Sequence, residues 1–138
     1  MRWLCPFLVL LLLLVADPSA AGVVLIGHPE NSEGDLDRNE IERIYLGKRT
    51  HWSNDTRIIP VILKNGDTHD EFLDEYLHRT SHRFVSYWRQ MVFTGKGIPP
   101  KSFADEAGLV AYVAATPGSV GYVSEASVVP EVQTLSVR

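Results

Sequence analysis

The stretch RIIPVILKNGDTHDEFLDEYL, residues 57–77, changes its hydrophobic period once, and that change decides the fold class. Arg57 to Leu63 is a short apolar run rich in β-branched residues, which predicts a strand. Pro60 inside it predicts an edge position or an irregularity, because proline donates nothing to a ladder. Asn65-Gly66 breaks the run, and Asp67 is placed to cap a helix whose apolar face is Phe72, Leu73, Tyr76 and Leu77. Strand, tight turn and helix in so short a span are the building unit of an α/β domain.

The same alternation extends in both directions. Upstream, Val23 to Ile26 reads as a buried strand ended by Gly27 and Pro29, and His28 to Gly34 as a polar turn region. Asp37 and Glu40 have the spacing of a capping box. Ile41, Ile44 and Tyr45 follow at helical spacing, and Gly47 is the stop. Thr50 to Thr56 is a polar loop carrying Trp52.

Downstream, Thr80-Ser81 recaps a third helix lined by Phe84, Val85, Trp88, Met91 and Val92. Gly95, Gly97, Pro99 and Pro100 make one long loop. Ala104 to Ala115 reads as a fourth helix stopped by Thr116-Pro117-Gly118. Ser119 to Ser124 and Val132 to Val137 read as the last two strands. The order β-α-β-α-α-α-β-β gives an α/β domain, a small mixed sheet flanked by helices. No internal repeat or linker interrupts it.

Composition narrows the function. The chain has 138 residues, 45% hydrophobic and 22% charged, with net charge −4 and one cysteine. That is one globular domain. An acidic chain without basic blocks excludes the phosphate neutralisation that nucleic-acid binding needs. One cysteine excludes a disulfide scaffold.

Residues 1–21 read as a signal peptide. Arg2 is the positive end, Phe7 to Val15 the apolar run, and Ser19-Ala20-Ala21 a cleavage site after Ala20 or Ala21. Even Trp3 to Ala16 falls short of the roughly 20 apolar residues of a transmembrane helix. The expected product is an exported domain, 22–138, periplasmic or secreted, without a membrane span or a cysteine.

Few motifs carry chemistry. His78 and His82 are four apart, but Thr80-Ser81 lies between them and no H-E-x-x-H or cysteine pattern accompanies them, so no metal is expected. Gly118-Ser-Val-Gly121 lacks the G-x-S-x-G spacing of a hydrolase elbow. Asp67, Asp70, Glu71, Asp74 and Glu75 read as a solvated helix face that also favours the helix N-terminus. Asn54-Asp-Thr56 fits a glycosylation sequon. Neither catalysis nor a cofactor is indicated.

Four segments taken together resemble a known family: Ile44-Tyr-Leu-Gly-Lys48 followed by Trp52; Trp88 with Val92-Phe-Thr-Gly-Lys-Gly97; Pro99-Pro100; and Thr116-Pro-Gly-Ser-Val-Gly-Tyr-Val123. In this order they resemble the substrate-binding proteins of phosphate ABC transporters, with their type II periplasmic binding-protein fold. The resemblance covers about Val23 to Val123 and implies a single lobe of that fold. Trp52 and Trp88 then read as core or lobe-packing aromatics.

The resemblance also implies an anion site. Full-length members hold phosphate between two lobes, partly on a strand-to-helix turn of the form Arg-x-Asp-Gly-Ser-Gly-Thr. The matching segment here is Lys64-Asn-Gly-Asp-Thr-His-Asp70. Lys64 keeps a cation but not the planar fork, Thr68 stands in for serine, and His69 and Asp70 replace glycine and threonine. Asp67 and Asp70 bring negative charge to a helix end that an anion would occupy.

The candidate anion contacts are Lys64, Thr68 and His69, with Asn65 and Gly66 shaping the turn. The implied role is a non-enzymatic solute-binding or accessory component of phosphate or oxyanion uptake. Its implied partners are the anion and a second lobe, an ABC transporter or another envelope protein. The alternative is an envelope adaptor or sensor module that kept the lobe and lost the anion site.

Overall fold

The computed structural model describes residues 22–138, and the expected signal segment lies outside them. A five-stranded mixed sheet forms the middle layer. Its strands are β1 (Val23–Gly27), β3 (Ile59–Leu63), β4 (Lys101–Phe103), β5 (Ser119–Ser124) and β6 (Gln133–Thr134). They lie in the order β4-β3-β5-β1-β6. β3 runs parallel to β4 and β5, while β1 is antiparallel to β5 and β6. A separate parallel pair joins β2 (Asp35–Leu36) to β7 (Ser136–Val137). The mixed α/β architecture expected from the sequence is the one observed.

On one face of the sheet lie α1 (Arg38–Tyr45), α2 (Asp67–Phe72) and α3 (Ser81–Phe93); on the other lies α4 (Glu106–Ala115). The α1 capping box is complete. The Glu40 N–H donates to Asp37 Oδ1 at 2.7 Å, and the Asp37 N–H donates to Glu40 Oε2 at 2.9 Å. Ile41, Ile44 and Tyr45 then turn inward as their spacing predicts. α4 is capped by Asp105, which accepts from the Gly108 N–H. It packs so closely on β5 that a Cβ at Gly121 would meet Leu109 Cδ2 at 2.8 Å and Val61 Cγ2 at 3.0 Å. Only glycine permits that approach.

Several expectations are corrected. The strand carrying Pro60 is interior, not at an edge. Alternation puts the Pro60 nitrogen on the β4 side, where pairing starts one residue later at Val61↔Lys101, so no ladder bond is lost. The irregularity is on the other side. Pairing of β3 with β5 stops at Pro60↔Val120. Beyond that point tyrosine hydroxyls take over: Tyr45 Oη donates to Val61 O at 3.1 Å, and Leu63 N–H donates to Tyr122 Oη at 3.0 Å. Both rings are fully buried, so these bonds satisfy backbone groups that water cannot reach.

Strands β2 and β4 lie in stretches where no element was expected, and the last strand is divided between two sheets. Val85 and Val92 do not join Phe84 and Trp88 in the core but stay 49% and 51% exposed. Asp67 does not cap α2. Gly66, with φ 104°, takes that place, and no side chain caps the helix. α2 widens into a π-helical turn, Leu73–Leu77, closed by His78 in the left-handed region at φ 52°. Phe72, Leu73, Tyr76 and Leu77 are all buried as expected. Among the described residues no helix is long and apolar enough to cross a membrane.

Candidate functional site

The residues that the sequence nominates run from the end of β3 through the turn into α2, and the structure places them differently. Lys64 follows the end of β3 and is held by its own N–H, which donates to Phe103 O at 2.8 Å. Its side chain and that of His69 border one cavity of about 250 Å³. The remaining wall is Ile62, Phe84, Val85, Trp88, Pro99 and Pro100, with the hydroxyl residues Ser81 and Ser102. Asn65 and Gly66 are exposed at the turn, Thr68 is half-buried, and none of the three borders this cavity. Asp67 and Asp70 are exposed and lie outside its wall as well.

His69 is not a surface residue. It is 2% exposed and sits on the inner side of α2, with its Nδ1 hydrogen-bonded to Tyr122 Oη. Its ring lies edge-on to Phe84, with centroids 6.4 Å apart, and near-parallel to Tyr122. Phe72 stacks on Tyr122 at 3.8 Å between centroids. Burial holds the His69 pKa below the usual 6.5, with the Asp70 carboxylate pulling the other way. The same burial raises Tyr122, while its bond from Leu63 opposes the rise. His69 is therefore a neutral imidazole at neutral pH.

A larger, more open concavity of about 590 Å³ lies beside the first and shares Ser81 with it. Asp70, Asp74, His78, Arg79, His82 and Arg83 surround it. His78 and His82 thus face one hollow, yet no group of three or more His, Cys, Asp or Glu side chains among the described residues is arranged around a metal position. Arg79 lies over the Tyr87 ring at 4.9 Å.

Trp52 and Trp88 are structural, in agreement with the expectation. Each is buried. Trp52 Nε1 donates to Gly118 O and Trp88 Nε1 to Tyr45 O, both at 3.1 Å. Trp88 also forms part of the cavity wall. Sequence reasoning missed Ser81, Ser102 and Tyr122 at this site. Tyr122 had a signal, since it stands inside the segment 116–123 that carried the resemblance; the serines had none.

Comparison with known proteins agrees with this architecture. Residues 20–137 match the PBP superfamily domain, and the chain belongs to that family. Among solved structures it is similar to a Clostridium perfringens protein described as a phosphate ABC transporter substrate-binding protein, with phosphate bound. The TM-score is 0.67 at 22% identity, over 84% of this chain and 44% of that one. It is also similar to PstS from Borrelia burgdorferi, with a TM-score of 0.67 at 16% identity, over 85% and 47%. An ABC-type phosphate transport receptor from Vibrio cholerae gives a TM-score of 0.59 at 16% identity, over 84% and 46%. The chain spans less than half the length of these structures. No curated protein matches it.

Proposed function

We propose that this chain is an exported, non-enzymatic solute-binding lobe that takes phosphate or a similar oxyanion and serves an ABC-type uptake system. One observation carries the reading. Lys64 and His69, from the turn that the family resemblance marks as the anion site, border one cavity at the carboxyl end of an interior strand. Open α/β sheets bind ligands at such strand ends. A cation, an imidazole and two hydroxyl residues in a mostly apolar wall suit a small anion better than a metal or an extended chain. Residues 1–21 act as the cleaved signal in this proposal. A second lobe, from another chain or from the transporter, covers the open side.

A second reading has its own observation. Phe93 and Ile98 are 90% and 78% exposed, which suits an envelope adaptor that docks on a protein and binds no anion.

Thermal unfolding of the purified protein against phosphate, sulfate and chloride at constant ionic strength separates the two. Binding at about 100 times Kd stabilises by roughly 2.7 kcal/mol and raises Tm by about 10 °C. Lys64→Ala is expected to abolish that rise. The absence of any selective rise up to millimolar oxyanion favours the adaptor, and a rise that survives Lys64→Ala places the anion elsewhere.

A further inference from the structure

We infer that Tyr122 is a positioning residue: it holds His69 in the tautomer with its proton on Nε2, so that the imidazole offers the cavity a donor and never an acceptor. The inference rests on the solute-binding reading for its ligand, but its geometry is independent of that reading.

The proton count around Tyr122 Oη is closed. The oxygen accepts the Leu63 N–H at 3.0 Å. Its own O–H then needs an acceptor, and His69 Nδ1 is its one other hydrogen-bond partner among the described residues. Tyr122 is fully buried, so water does not supply an alternative. A buried hydroxyl left without an acceptor is costly. Tyr122 therefore donates, Nδ1 is bare, and the neutral ring carries its hydrogen on Nε2.

That second nitrogen has no protein partner among the described residues, yet it is not sealed. Arg49 Nη1 is the sole buried side-chain nitrogen or oxygen there without a hydrogen bond. His69 lines the cavity beside Lys64, which leaves Nε2–H free for a ligand oxygen. Phe72, stacked on Tyr122, fixes the ring that fixes the histidine. Lys64 and His69 are then both donors. Neither accepts a hydrogen bond from the ligand, so this pair recognises an oxygen that accepts hydrogen bonds.

The arrangement is read directly by two-bond proton–nitrogen correlation NMR of the protein labelled with nitrogen-15 at histidine. The expected result is a single Nε2–H tautomer for His69 at neutral pH and a mixture in Tyr122→Phe. Inorganic phosphate is expected to perturb Nε2 and leave Nδ1 unchanged, and to bind Tyr122→Phe more weakly in proportion to the Nε2–H tautomer lost, about twofold for an even mixture. A bare Nε2 in the wild-type protein overturns the inference, and this measurement needs no variant to fold. A pure Nε2–H tautomer in folded Tyr122→Phe also overturns it. If phosphate perturbs no histidine signal while the tautomer behaves as expected, the solute-binding reading fails and the positioning by Tyr122 stands.

Discussion

The two faces of the sheet are built from different chemistry. On the α4 face the centre of the packing is aliphatic and close: Leu109, Val113 and Val61 close around the bare backbone of Gly121, with the Phe103–Tyr112 pair to one side. On the opposite face aromatic rings are prominent, and several of them have a polar tip bonded to the main chain. Tyr45, Trp52, Tyr87 and Trp88 all donate to backbone carbonyls. Tyr122 meets both a backbone N–H and His69. Aliphatic packing supplies cohesion without direction, whereas hydrogen-bonded rings supply direction as well. The cavity lies on the face that has direction.

Truncating one residue on each face puts this contrast at risk. Phe72→Ala removes the ring stacked on Tyr122 and is expected to cost about 3–5 kcal/mol in urea unfolding. It should also release the His69 tautomer. Leu109→Ala, on the other face, is expected to cost about 2–5 kcal/mol and leave the tautomer unchanged. If both variants disturb His69 alike, the two faces act as one unit and the contrast fails.

A smaller perturbation sharpens it. Gly121→Ala forces a Cβ into Leu109 and is expected to cost about 1–3 kcal/mol, as overpacking does. Tyr45→Phe keeps the shape and removes only the hydroxyl that reaches Val61 O and Val120 O. Its expected cost is about 1–2 kcal/mol. Denaturant midpoints of the two variants, with amide exchange at Leu63, separate a packing effect from a polar one.

The smallest effect concerns pH. Burial lowers the His69 pKa in the folded protein below its unfolded value of 6.5. The folded state then resists protonation that the unfolded state accepts. The stability due to neutral His69 is full above pH 6.5 and is lost as pH falls through the lower, folded pKa. His69→Leu is expected to flatten that part of the stability profile, measured by unfolding at several pH values. An unchanged slope would show that His69 is not desolvated, and the directional face would lose its central member.

How much of this was legible depends on the length of each signal. The α1 capping box and the strand Ser119–Ser124 stood in the sequence because each sums several cues over consecutive residues. Strands β2 and β4 are two or three residues long, too short for any period to show, while β6 and β7 stood in the sequence as the one strand Val132–Val137. Pro60 pointed to a real irregularity but not to its side, since strand order is a tertiary property. His69, Phe72, Leu73 and Tyr76 share the spacing i, i+3, i+4 and i+7, so the inward position of His69 was available from periodicity. Resemblance to a ligand-binding turn drew attention to it as a contact instead. The role of Tyr122 was beyond reach, because it exists only where β3 and β5 part.

The order in which the sheet can close follows from its first strand. β1 is an interior strand, and its partners come from the far end of the chain, with Val23 opposite Ser124 and Ile26 opposite Thr134. Such pairing makes for slow folding, because a loop spanning nearly the whole domain closes before the contacts are gained. A ribosome making this protein lengthens a chain whose central layer stays incomplete until the final segments emerge. Truncation after α4 would therefore leave β1 with neither of its neighbours and abolish cooperative folding outright.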